Sequence, residues 1–359
     1  MQASSRPVIL VGEGCRYADL APLLACGIPI LSSWQAADLI DNSHPNYFGR
    51  PGIYGQRCAN KILYDADTVI SIGCRLSPWM IGHQGLRPEQ QLVMCDVDTA
   101  ELHRFPKAEH YCEDASTFIA EDFKPIGDCI PWVARCEQWR NTYEWQEHAA
   151  ATPAGFIDAY AFVEHLSGFF RPDEVIVTDM GTALCAAFQT MKLKPPQRLM
   201  TSGGLGEMGV ALPAAIGASF ARNKGSVICL HCDGGMMMNL QELQTIRHHN
   251  LPIKIIVFSN DGYVMLKHTQ KTQNMAYSGV NDSTGVSCPD FAKVSYAFGI
   301  TSFKAKTWGD IESLLPIFLH GEGSSLLEIE TDPEQPLSPK LGYEIVDGKQ
   351  QYRRFDELT

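Results

Sequence analysis

The sequence predicts an α/β protein of two doubly wound parallel-sheet domains. Three observations carry that reading. Short apolar runs recur along the chain and end in glycine or an acidic residue. Stretches with helical apolar spacing separate them, the pattern of parallel βα units. The alternation then stops at a polar, tryptophan-bearing stretch near residue 131 and restarts beyond it.

The first domain is expected over residues 1–130, a central Rossmann-like unit. Pro7–Gly12 reads as a strand ending in glycine, Leu20–Ala25 as a helix face and Pro29–Leu31 as a second strand. Asp67–Gly73 (DTVISIG) and Gln91–Val97 (QLVMCDV) repeat the strand pattern. Residues 131–154 read as a linker containing a helix, Trp139–Ala149. The second domain is expected over 155–345. It contains a helix at Phe156–Phe170, a strand at Glu174–Thr178, a small-residue helix at Gly209–Phe220 and a strand at Ser226–Leu230. A helix at Leu240–His248, a strand at Ile253–Phe258 and a late strand at Leu326–Glu330 follow. Ile253–Phe258 has almost no polar interruption, as expected of a strand covered on both faces. The chain turns Pro-rich after Thr331, and residues 346–359 read as a charged surface tail.

At 359 residues the chain has room for two ordinary domains. Apolar residues (45%) far outnumber charged ones (19%), which predicts packed cores and excludes disorder. A net charge of −12 argues against a nucleic-acid or anionic-membrane surface. Met1–Pro7 has no charged-then-apolar leader, and no apolar run is long enough to span a bilayer. The twelve cysteines lie scattered, the usage of a reduced, cytoplasmic chain. Cys229 and Cys232 form a CxxC, but they end an apolar strand, so they read as core residues.

Open parallel sheets bind ligands beyond the carboxyl ends of their strands. After Ser226–Leu230 comes His231-Cys232-Asp233-Gly234-Gly235-Met236. The carboxylate can hold a hard divalent cation, and the glycines let backbone N–H groups approach an anion at a helix start. Asp-Gly-Gly is also a common turn. After Ile253–Phe258 comes Ser259-Asn260-Asp261-Gly262. Asn260 lies 27 residues beyond Asp233, one helix plus one strand, so adjacent strands would deliver both side chains to one rim. A carbonyl near Gly262 adds a third oxygen, and Mg²⁺ suits such sparse ligation. Asp179-Met180-Gly181-Thr182-Ala183 follows Glu174–Thr178, and Thr201–Gly209 adds further glycine-rich backbone before a helix. Together these loops can form one diphosphate–metal site.

Residues 174–345 resemble the C-terminal domain of acetolactate-synthase-like thiamine-diphosphate (ThDP) enzymes. The family signature is Gly-Asp-Gly followed, one helix and one strand later, by Asn-Asn; here it reads Cys232-Asp233-Gly234 and Ser259-Asn260. The stretches Ser202–Ala218, Met236–Arg247 and Asn250–Val257 resemble the family throughout. The resemblance implies roles. Asp233, Asn260 and the Gly262 carbonyl would ligate Mg²⁺. Gly181, Thr182, Ala183, Gly234, Gly235 and Met236 would hold the diphosphate. Met208 would wedge the cofactor into its bent form, the Gly206 carbonyl would receive the aminopyrimidine's amino group, and Met265 would line the substrate side. The first signature glycine is Cys232 and the first asparagine is Ser259, neither of them an implied ligand. Thr269 stands where acetolactate synthases usually carry a tryptophan that shapes the acceptor pocket.

The first domain resembles the family's middle domain through Arg50–Gly55 and Val69–Arg75. Some members hold FAD there. Gly12-Glu13-Gly14 is only part of a dinucleotide fingerprint, and a structural sheet turn is the alternative. In the family, the glutamate that activates the cofactor lies on a separate N-terminal, pyrimidine-binding domain. This chain begins at the middle domain, so the resemblance implies a split enzyme: a partner chain supplies the glutamate, and two copies of each chain assemble. The substrate would be a small 2-oxo acid, with pyruvate as donor. A degenerate cofactor-binding module with a regulatory role and a Rossmann-type dehydrogenase are the competing readings; the missing fingerprint argues against the last. His248 and His249 are expected at a helix end, His268 at the surface or near substrate, and Met236–Met238 mainly in the core.

Overall fold

A computed structural model describes residues 4–124, 129–143, 152–346 and 349–358. The chain forms two compact units, each around a parallel sheet. One comprises Met1–Glu147, Leu193–Pro195 and Ser338–Thr359, the other His148–Lys192 and Pro196–Leu337.

The first unit holds β1 (Pro7–Val11), β2 (Ile30–Ser32), β3 (Thr68–Ile72), β4 (Gln91–Cys95) and β5 (Glu109–Tyr111). They pair in the order β2-β1-β3-β4-β5, all parallel. β1 and β3 are buried at every residue because both faces are covered. Their side chains divide with the period of two that a strand imposes. Val8, Leu10 and Val69 join Ile62, Leu63 and Trp132 on one side. Ile9, Val11, Ile70 and Ile72 join Phe118 on the other. Ile62 and Leu63 come from helix α1 (Arg57–Asp65) and Trp132 from α2 (Ile130–Thr142).

α2 corrects the sequence reading, which began the linker helix at Trp139. Pro131 sits in its first turn, where a missing N–H costs nothing. Trp132 Nε1 donates to the Pro7 carbonyl at 2.9 Å. Residues 144–149 of the expected helix lie outside the described residues. The segment from Ser338 also belongs to this unit: Leu341, Phe355 and Leu358 enter the cluster around Ile62. Asn60 Nδ2 donates to the Phe355 carbonyl at 2.8 Å, and Arg57 to that of Leu358.

The strand order reverses between β1 and β3. There the backbones after both strands touch: Gly14 N donates to Gly73 O at 3.0 Å. A methyl group on Gly12 would lie 2.0 Å from the same oxygen. The glycines of Gly12-Glu13-Gly14 thus serve a backbone contact between the ends of β1 and β3. Gly12→Ala should destabilise this unit by about 1–3 kcal/mol, the usual range for overpacking, measured by chemical denaturation.

The second unit holds β6 (Val175–Thr178), β7 (Arg198–Thr201), β8 (Val227–Cys232), β9 (Ile253–Ser259), β10 (Thr301–Ala305) and β11 (Ser325–Glu330). Their order is β10-β11-β9-β8-β6-β7, again all parallel. α3 (Ala159–Ser167) is capped by Asp158, whose side chain accepts from Ala161 N. α4 (Thr182–Thr190) follows β6, and α5 (Ala211–Ala221) precedes β8. α6 (Asp233–Met236) is a single turn directly after β8. α7 (Glu242–His249) ends at Asn250 in the left-handed conformation, with His248 and His249 in its last turn. α8 (Val264–Thr272) follows β9. Met236 is buried as expected, but Met237 and Met238 are about half exposed and fill no core. Cys229 and Cys232 lie three apart on β8 and so face opposite ways; they form no disulfide with each other. Among the described residues no helix is long and apolar enough to cross a membrane.

Candidate functional site

In the second sheet the chain leaves β6 for β7 on one side and returns to β8 on the other. β6 and β8 therefore flank a switch point, where connections diverge and leave a crevice beyond the strand ends. The loops that open there are Asp179–Ala183 after β6 and Asp233–Met236 after β8, with Asn260–Gly262 after neighbouring β9.

Asp233 is fully buried at the end of β8. Its Oδ2 accepts the backbone N–H of Asn260 at 2.8 Å and of Gly262 at 3.1 Å, and its Oδ1 accepts that of Gly234 at 2.7 Å. The expected metal pair is thus joined: the Asp233 side chain holds the backbone that carries Asn260. Burial pushes the Asp233 carboxyl up to about 6, against the opposing pull of the three N–H donors. A carboxylate that resists ionisation in the free site gains from a cation beside it. Asn260 is buried, and its Nδ2 donates to Thr182 Oγ1 at 3.1 Å. Thr182 opens α4, so this bond ties the β9 loop to the β6 loop.

Asp261 and Gly262 both have positive φ (60° and 108°), a turn that redirects the backbone after Asn260. Tyr263 N then donates to Val280 O at 2.9 Å. The Tyr263 ring lies against Gly234, where an added methyl would fall 2.2 Å from the ring. Gly181 opens α4 at φ 105°, a conformation that favours glycine. Gly206 has φ 68°, and the Met180 side chain closes over its Cα. Met208 is about one-third exposed, and Met265 on α8 is partly exposed. His268 Nε2 lies 3.0 Å from the Gln335 carbonyl, 67 residues further along the chain.

Sequence reasoning assigned no role to Asp179, which is fully buried and touches three of these segments. It accepts from Gly209 N at 3.1 Å and Ala211 N at 3.3 Å, at the start of α5. Its Oδ2 lies 3.3 Å from His231 Nδ1 on β8. A methyl on Gly235 would lie 1.9 Å from the same oxygen. Burial lowers the His231 pKa, with Asp179 pulling the other way. Asp179 stands at a strand end just as Asp233 does, and that placement was the signal available to find it.

Residues 1–121 match the family model "Thiamine pyrophosphate enzyme, central domain", and residues 179–329 match "Thiamine pyrophosphate enzyme, C-terminal TPP binding domain". The chain is 28% identical over 344 residues to the acetolactate synthase isozyme 2 large subunit of Escherichia coli, covering 94% of this chain and 62% of that protein. It is also 28% identical over 351 residues to the isozyme 1 large subunit of the same organism (95% and 61%). A probable acetolactate synthase large subunit of Methanococcus aeolicus is 28% identical over 362 residues (94% and 60%). The chain spans about three fifths of the length of these relatives. The two domain models match about three quarters of the chain, in the order in which its two sheets occur, and the chain belongs to the thiamine pyrophosphate enzyme family.

Proposed function

We propose that this chain supplies the diphosphate and metal site of a ThDP- and Mg²⁺-dependent 2-oxo-acid decarboxylase/carboligase, acting with a partner chain. The observation that carries the reading is the Asp233–Asn260–Thr182 connection at the switch point of the second sheet. The donor set fits Mg²⁺, because a carboxylate and an amide on adjacent strand ends are hard oxygen donors. It fits a diphosphate as well, because α4 presents the backbone N–H groups of its first turn beside them.

Asp233 and Asn260 would hold the metal, with the Gly262 carbonyl as a third oxygen. Gly181, Thr182, Ala183, Gly234, Gly235 and Met236 would cradle the diphosphate. Met208 and the Gly206 carbonyl would orient the thiazolium and aminopyrimidine rings, and Met265 would line the substrate side. When bound, the cofactor supplies a C2 carbanion that adds to a 2-oxo acid and accepts the electrons released on decarboxylation. The glutamate that promotes this carbanion would come from a pyrimidine-binding domain on the partner chain, in an assembly with two copies of each. Pyruvate is the proposed donor, on the resemblance to acetolactate synthases. Exposed Thr269, whose Oγ1 donates to the Met265 carbonyl at 3.0 Å, marks the acceptor side as different from theirs.

Calorimetric titration with ThDP and Mg²⁺ tests the reading, alone and with a genomic-neighbour chain that carries a pyrimidine-binding domain. The expected result is ThDP binding that EDTA abolishes and the partner strengthens, with pyruvate consumed only by the mixture. Absence of binding under both conditions would replace this reading with that of a degenerate module.

A further inference from the structure

Cys232 stands where the family signature has its first glycine, and its side chain reaches beneath the loop after β6. Its Sγ accepts the backbone N–H of Ala183 at 3.3 Å. It also lies 3.1 Å from where a methyl group on Gly181 would be. Ala183 is the second residue of α4, a nine-residue helix, so its N–H is among the donors that the helix leaves without an internal partner. The diphosphate cradle proposed above relies on that same donor. The thiol is nearly fully buried. A thiol is a weak acceptor, and a phosphate oxygen is a strong one.

We propose that Cys232 is a positioning residue for the diphosphate, a built-in acceptor that engages the Ala183 N–H in the cofactor-free site and must release it when a phosphate oxygen arrives. The proposal rests on the diphosphate reading of the site. Its consequence is specific: the thiol keeps the start of α4 ordered without cofactor and weakens anion binding by competing for one donor. A glycine at this position, as in the family signature, offers no such competitor.

The test compares the wild-type chain with Cys232→Ala and Cys232→Gly, using Mg²⁺–pyrophosphate and Mg²⁺–ThDP as calorimetric probes. Pyrophosphate needs no pyrimidine-binding partner. The alanine variant keeps the Cβ and guards against loss of fold in the glycine variant, checked by circular dichroism. Both variants should bind pyrophosphate several-fold more tightly than wild type. Exchange of the Ala183 amide hydrogen in the ligand-free protein should quicken by about an order of magnitude, a change that does not depend on the probe. If wild type and variants bind equally and Ala183 exchanges equally, the role of Cys232 is overturned and the diphosphate reading stands. If neither probe binds to any of the three proteins, both fall together.

Discussion

Replacing Asp233 by alanine should lower Mg²⁺-dependent ThDP affinity by about 100-fold or more and destabilise the second unit by roughly 3 kcal/mol. The two effects have separate origins. The carboxylate is the only formal charge in the proposed metal set, so its loss removes most of the attraction for a divalent cation. It is also the acceptor for the N–H groups of Gly234, Asn260 and Gly262 in a fully buried position, and alanine leaves those donors without it. Asp233→Asn separates the two. The amide matches the carboxylate in shape and retains one carbonyl oxygen to accept from Asn260 and Gly262, while its NH₂ faces the Gly234 N–H, so part of the stability should return. It lacks the charge, so metal-dependent affinity should still fall by about the same factor. Calorimetric titration and urea denaturation of the same preparations give both numbers. An Asp233→Asn protein that binds Mg²⁺–ThDP as wild type does would remove Asp233 from the metal set.

Asp179→Ala should be the most destabilising single change around the crevice, costing roughly 3–5 kcal/mol. The side chain accepts two backbone N–H groups at the start of α5 and lies beside buried His231. Its loss opens a polar gap beneath Gly235 and releases the segment that begins just after Met208. Asp179→Asn should recover part of the stability, since one acceptor remains while the amide NH₂ faces a donor. Cofactor affinity should track that partial recovery if Asp179 acts by holding the Met208 segment. An Asp179→Asn protein with wild-type stability and no affinity would instead point to direct contact with the ligand.

The strands that build the crevice were legible because each is a largely apolar run, and such runs survive only when buried on both faces. Val227–Cys232 and Ile253–Ser259 are buried along almost their whole length, and the residues just beyond them carry the chemistry. The edge strands β7 and β10 were not legible. Arg198–Thr201 and Thr301–Ala305 are largely half-exposed, so polar residues are tolerated there and the apolar signal fades. α2 could have been found from Pro131, a helix-start residue placed ahead of an apolar pattern. The hub role of Asp179 depends on which loops meet in space, and sequence spacing does not encode that. The thiol of Cys232 read as core from its strand context; its reach to Ala183 follows from the turn after β6.

The core of the first unit is assembled from segments far apart in sequence. Leu341, Phe355 and Leu358 pack in one cluster with Val8 and Leu10, while the whole of the second unit lies between them in sequence. During synthesis, β1 through α2 emerge early but lack part of their apolar cover until the segment beginning at Ser338 has left the ribosome. The second unit, by contrast, has its whole sheet available once Glu330 has emerged. The order of translation therefore favours closure of the second unit first, with the first unit completing its core only when the segment from Ser338 joins it.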